Sequence, residues 1–189
     1  MSPSNMSAPL AGHLALVTGG SRGIGEAIAC AMVKAGARVI IASRKATNLA
    51  AAVDRIGSDA VVPWVLHAGR IDEIEGQMDA LIQAHGTPTI LVNNAATNPY
   101  FGPMLDLEWR AWDKTFEVNV KGPFELTRAL ARRWLAQGTA GRVVNMSSIF
   151  GLRGAPQQGI YGMTKACLVS LTRTLAHELG PHGIRVNAI

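Results

Sequence analysis

Short apolar runs alternate with longer helical patterns from Leu14 to the end of this chain, and that alternation constrains its fold more than any other feature. The runs are Leu14 to Thr18, Arg38 to Ala42, Ala60 to Leu66, Thr89 to Asn93, Arg142 to Ser147 and Ile184 to Ala188. Their length and β-branched content read as strands. Apolar residues at helical spacing predict helices over Ile24 to Ala35, Thr47 to Ile56, Ile71 to His85, Leu107 to Gln137 with an interruption at Pro123, and Tyr161 to Leu179. Strands joined through helices run parallel, and near-continuous apolar strands are buried on both faces. The expected architecture is therefore α/β: one Rossmann-type, doubly wound parallel sheet in three α/β/α layers. With 189 residues and 48% hydrophobic content, the chain can bury one substantial core. We read residues 1–12 as a flexible N-terminal segment and 13–189 as a single domain.

Charge and cysteine usage exclude several classes. The net charge of +5 arises from 18 basic and 13 acidic residues scattered along the chain, without the stripe or tract that nucleic-acid binding needs. No apolar segment approaches a membrane span, and Met1 to Leu10 lacks the pattern of a signal peptide, so a soluble cytoplasmic protein with no membrane partner is expected. Cys30 and Cys167 stand alone inside helical patterns, and the five histidines show no ligand spacing, so neither a disulfide framework nor a metal is expected.

The first strand runs into Thr18-Gly19-Gly20-Ser21-Arg22-Gly23-Ile24-Gly25, and a helical pattern follows at once. A tight turn needs positive φ, a pyrophosphate needs unobstructed backbone amides, and close helix-on-strand packing needs a residue without Cβ. Gly19, Gly23 and Gly25 meet those demands, which points to dinucleotide binding by Thr18, Gly19, Ser21, Arg22, Gly23, Ile24 and Gly25. No Gly-Lys-Ser/Thr ending is present, so a P-loop is not expected.

An acid at the end of the second strand would accept bonds from the adenosine ribose hydroxyls and repel a 2′-phosphate. Ser43-Arg44-Lys45 stands there instead. Ser43 and Arg44, with Arg22 from the glycine turn, would grip that phosphate through charge-assisted bonds, so NADP(H) is expected in preference to NAD(H).

Tyr161 and Lys165 stand four apart at the start of the last helical pattern and so share a face. A phenol titrates near pH ~10, and a neighbouring ammonium favours its ionised form and brings it toward the working range of an acid-base catalyst. Ser148 ends the fifth run thirteen residues earlier, and the loop from Gly151 to Gly159 can fold its hydroxyl back toward a substrate carbonyl.

Taken in order, Thr18 to Gly25, Asn93-Asn94-Ala95-Ala96, Asn119 in Val118 to Gly122, Asn145 to Ser148, Tyr161 to Lys165, and Ile184 to Ala188 resemble the short-chain dehydrogenase/reductase family over essentially the whole chain. The resemblance implies an oxidoreductase that exchanges hydride between NADP(H) and a carbonyl or secondary alcohol. Tyr161 would be the proton donor, Lys165 would also bond the nicotinamide ribose, Ser148 would orient the carbonyl, Asn119 would hold a relay water, and Asn94 and Ala95 would approach the cofactor. It also implies a homodimer or homotetramer through the helices at 107–137 and 160–179, and a substrate-covering loop and final strand beyond Ile189.

Two departures from the family pattern stand out: Leu66-His67-Ala68-Gly69 replaces the Asp that usually contacts adenine after the third strand, and Ala96 replaces a Gly. Asn98 to Pro103 and the Ser-Arg-Lys stretch are similar to the member 4-like branch of NADP-dependent carbonyl and retinal reductases. The same four residues would also serve reduction of a 3-oxoacyl thioester. A non-catalytic NADP(H) sensor or scaffold would be expected to carry a damaged set, whereas Asn119, Ser148, Tyr161 and Lys165 are all present.

Overall fold

A computed structural model describes residues 8–189; most of the segment expected to be flexible lies outside the described residues. The described residues form six strands: β1 (Leu14–Thr18), β2 (Arg38–Ser43), β3 (Val61–Val65), β4 (Ile90–Asn93), β5 (Arg142–Asn145) and β6 (Arg185–Ala188). All pair in parallel, in the order β3-β2-β1-β4-β5-β6. This is the Rossmann-like doubly wound sheet that alternating strands and helices imply. The chain direction across the sheet reverses between β1 and β4, where such sheets open a crevice at their C-terminal edge.

The helices are α1 (Gly23–Lys34), α2 (Ala46–Ile56), α3 (Ile71–His85), α4 (Trp109–Phe116), α5 (Gly122–Gln137) and α6 (Gly159–Leu179). Alternate residues of one strand serve opposite cores. Leu14 and Leu16 face α3 and α5 with Met78, Leu81, Leu126, Leu130 and Trp134, whereas Ala15 and Val17 face α1 and α2 with Ala29, Leu49 and Ala52. Trp134 is fully buried and its indole N–H donates to the Pro88 carbonyl at 2.8 Å. Ahead of β1, the Leu10 amide donates to the Ala35 carbonyl and its side chain packs on the second of these cores.

The expected interruption near Pro123 falls one turn earlier, in a π-helical turn over Glu117–Lys121 that joins α4 to α5. Pro123 itself sits in the first turn of α5, where its missing N–H is harmless. In a regular helix its ring would press on the carbonyl four residues back, that of Asn119, and it has no N–H to offer that carbonyl. Widening the turn relieves the clash.

Candidate active site

The glycine turn is held from the sheet side by two polar residues. Thr18 Oγ1 donates to the Val92 carbonyl at 3.2 Å and accepts the Asn94 and Ala95 amides, each at 3.0 Å. The Asn94 side-chain amide donates to the carbonyls of Thr18 (2.9 Å) and Gly19 (3.3 Å). These bonds lock the ends of β1 and β4 together across the crevice. Thr18 is therefore occupied as a brace, and Asn94 spends its amide in the same way. Gly19 and Gly23 adopt φ of +66° and +56°, the left-handed region that glycine enters without strain. A Cβ on Gly25 would stand 2.3 Å from the Gly19 carbonyl oxygen, which is the close helix-on-turn contact expected of that position.

A cavity of about 510 Å³ opens over this turn. Every residue expected to bind the dinucleotide lines it except Tyr161 and Lys165: Thr18, Gly19, Ser21 to Gly25, Ser43, Arg44, Asn94 and Ala95. Asn48, His67, Ala68, Thr97 and Val118 also line it, and none was assigned to it from sequence, because they converge from α2, the loop after β3, the loop after β4 and the π-turn. Only His67 carried a signal in sequence, by standing where an Asp is usual. The Gly69 amide donates to its Nδ1 at 3.1 Å, and burial, with the cations of Lys114, Arg44 and Arg70, holds the imidazole below its ordinary range.

Among the described residues, Arg22, Arg44, Lys45 and His67 line this cavity and no carboxylate does. A Cβ built on Gly23 would meet open space. Backbone amides at a helix N-terminus, room above them and a cationic rim suit the phosphates of a dinucleotide.

The other four candidates gather beside this cavity. The three-residue turn Ile149–Gly151 presses against α6 so closely that a Cβ on Gly151 would stand 2.8 Å from the Lys165 carbonyl carbon, and one on Gly162 2.8 Å from the Phe150 carbonyl oxygen. That packing brings Ser148, which precedes the turn, up to Tyr161. Ser148 Oγ accepts the Phe150 amide at 3.2 Å.

Lys165 is only 3% exposed; its ammonium donates to the Met146 carbonyl at 2.6 Å and lies 5.5 Å from the centroid of the Tyr161 ring. Burial pushes Lys165 down to about 8. The phenol differs from expectation: burial raises the Tyr161 pKa, with Ser148 opposing, instead of the ammonium lowering it. The physical reason is placement. The ammonium serves a main-chain carbonyl and the face of the ring.

Asn119 is fully buried. Its Oδ1 accepts the Thr97 amide at 2.8 Å, and its Nδ2 donates to the Thr97 carbonyl (2.9 Å) and to Thr164 Oγ1 (3.1 Å). It thus ties the cavity wall at Thr97 to α6 one residue before Lys165. Both side-chain amide hydrogens are thus spent, and the main-chain carbonyl of Asn119 is offered no N–H by Pro123 four residues on.

The family profile described as short chain dehydrogenase matches residues 13–189. The chain is 40% identical over 183 residues to the Homo sapiens dehydrogenase/reductase SDR family member 4, covering 96% of this chain and 66% of that protein. It therefore spans just under two thirds of that relative's length. Among solved structures, a candidate gluconate dehydrogenase of Agrobacterium tumefaciens superposes with a TM-score of 0.91 at 30% identity, covering 97% of this chain and 73% of that one. A candidate short-chain alcohol dehydrogenase of Sinorhizobium meliloti gives 0.87 at 35% identity, with 96% and 72% covered. Among the described residues, no helix is long and apolar enough to cross a membrane, and no cluster of three or more His, Cys, Asp or Glu could hold a metal ion.

Proposed function

The chain belongs to the short-chain dehydrogenase family of oxidoreductases, which use a nicotinamide dinucleotide, and from that premise we propose that it interconverts a carbonyl and a secondary alcohol with NADP(H). The observation that carries the reaction type is the grouping of Ser148, Tyr161 and Lys165 beside the glycine-turn cavity. The observation that favours the phosphorylated cofactor is the cavity's rim of Arg22, Arg44 and Lys45 without a carboxylate.

When bound, the cofactor supplies hydride exchange at the carbonyl carbon. The backbone amides of Ser21 to Gly25 would face the pyrophosphate, and Arg22, Ser43 and Arg44 the 2′-phosphate. Ser148 Oγ and Tyr161 Oη donate hydrogen bonds to the carbonyl oxygen, and the Tyr161 proton passes to that oxygen as charge develops there. In this role Lys165 turns from the Met146 carbonyl toward the phenol and the nicotinamide ribose. Its charge then favours the phenolate that burial alone disfavours. A water on the Asn119 main-chain carbonyl returns the proton. The substrates are small carbonyl compounds.

Exposed Trp109, Phe124, Leu135 and Met163 on α4, α5 and α6 support pairing of this chain with itself through those helices. The free thiols of Cys30 and Cys167 suit the reducing cytoplasm, where we place it.

The test is a panel of ketones, aldehydes and quinones offered with NADPH, followed by loss of reduced-nicotinamide absorbance, for wild type and Tyr161→Phe. We expect turnover of at least one class by wild type, and none by the variant with NADPH binding intact. Unchanged turnover by Tyr161→Phe would remove the phenol from its role, and wild type that binds NADPH but turns nothing over would favour a sensor.

A further inference from the structure

We infer that Arg55, which lines no part of the cavity, is a positioning residue for the dinucleotide: from the last turn of α2 it holds the Ser21–Arg22 peptide of the glycine turn in its binding conformation. The inference rests on reading that turn as the dinucleotide site.

One guanidinium spans two points. Arg55 Nη2 donates to the Ser21 carbonyl at 3.1 Å. The same nitrogen and Nε donate to the two carboxylate oxygens of Glu26, in the first turn of α1, at 2.6 and 2.9 Å. A rigid fork of donors fixes both partners at once, which the point charge of a lysine cannot do. The turn needs such a hold. It holds two glycines of positive φ, Gly19 and Gly23, and Arg22, at the N-cap position of α1 with φ −168° and ψ 164°, supplies no side-chain capping bond. Sheet-side bonds from Thr18 and Asn94 stop at Gly19, so Ser21 and Arg22 lie past the last of them.

A planar trans peptide sets its C=O and N–H on opposite sides. Drawing the Ser21 carbonyl out to Arg55 therefore turns the Arg22 amide the other way, at a point where both residues line the cavity. Held in place beforehand, the turn forgoes the ordering cost that a flexible loop meets on binding.

Arg55 is half exposed at the surface, 51% for its side chain against 20% for Glu26, so its pair with Glu26 contributes little to global stability. Binding and folding effects are separable for that reason.

The experiment measures calorimetric affinities of NADPH and NADH, and thermal unfolding, for wild type, Arg55→Met, Arg55→Lys and the double exchange Glu26→Arg with Arg55→Glu. Arg55→Met is expected to weaken the binding of both dinucleotides by roughly fivefold to tenfold, the scale of one net hydrogen bond, with the unfolding midpoint nearly unchanged. Amide exchange across Arg22 to Gly25 in the free protein should speed up. Arg55→Lys should recover only part of the affinity. The double exchange restores an ion pair between the helices but puts a carboxylate opposite the Ser21 carbonyl, so its binding should stay weak. Wild-type affinity in Arg55→Met, or full recovery in the double exchange, would overturn the inference. Wild type that takes up neither dinucleotide would overturn the dinucleotide reading and this brace with it.

Discussion

The Lys165 ammonium lies 5.5 Å from the centroid of the Tyr161 ring, one helical turn along α6, in a pocket that leaves the lysine 3% exposed. A cation there is costly to desolvate, and its value near 8 expresses that cost.

A pH dependence of stability follows. The folded-state value lies below the ordinary 10.5, so the unfolded chain binds more protons between about pH 8 and 10.5. Stability from this residue therefore rises with pH across that window, and below pH 8 the burial penalty is present in full, on the order of 3 kcal/mol. Lys165→Met removes the penalty and should flatten the profile, so that its advantage in urea unfolding at pH 7 shrinks as pH climbs to 10.5. A wild-type profile that stays flat across the window would contradict the buried charge. Turnover in the variant should fall by ~100-fold or more.

Cofactor preference is expected to depend on Arg44. Arg44→Asp replaces a cavity-lining cation with the acid that ribose hydroxyls favour and a 2′-phosphate opposes. The ratio of NADPH to NADH affinity should drop by about 10- to 100-fold in titration calorimetry. An unchanged ratio would mean that the phosphate is held elsewhere.

Two glycines of one turn should behave differently. In Gly25→Ala the new methyl meets the Gly19 carbonyl oxygen at 2.3 Å and the Asn94 amide nitrogen at 2.5 Å, and the Gly19 backbone cannot swing aside. Chemical denaturation should show a loss of roughly 1–3 kcal/mol. Gly23→Ala meets open space but must hold φ near +56°, at a cost of about 1–2 kcal/mol, while its methyl intrudes on the room above the amides. It should fold yet bind NADPH poorly, as seen by fluorescence titration.

Pro123→Ala probes the π-turn. The substitution gives the Asn119 carbonyl a helical donor and relieves the ring clash that widens Glu117–Lys121. Turnover should fall several-fold with KM for NADPH unchanged. If turnover holds, the freed carbonyl has no part in proton return.

The sequence by itself determined the element order, the parallel sheet and the glycine turn, because those depend on local periodicity and on where glycine must stand. Helix α3 begins at Ile71 and ends at His85 as the pattern predicts, and no other strand or outer helix boundary is off by more than two residues. Tyr161 and Lys165 share a face because a helix turns at a fixed pitch. The tertiary structure decided what local rules cannot reach. Asn48, His67, Thr97 and Val118 meet at one cavity only after four segments fold together. Asn119 spends both amide hydrogens on Thr97 and Thr164, 22 and 45 residues away, so their availability is a matter of packing. The Tyr161 phenol moved opposite to expectation for the same reason: spacing brings the ammonium within reach, but burial and the Met146 carbonyl decide where its charge is spent.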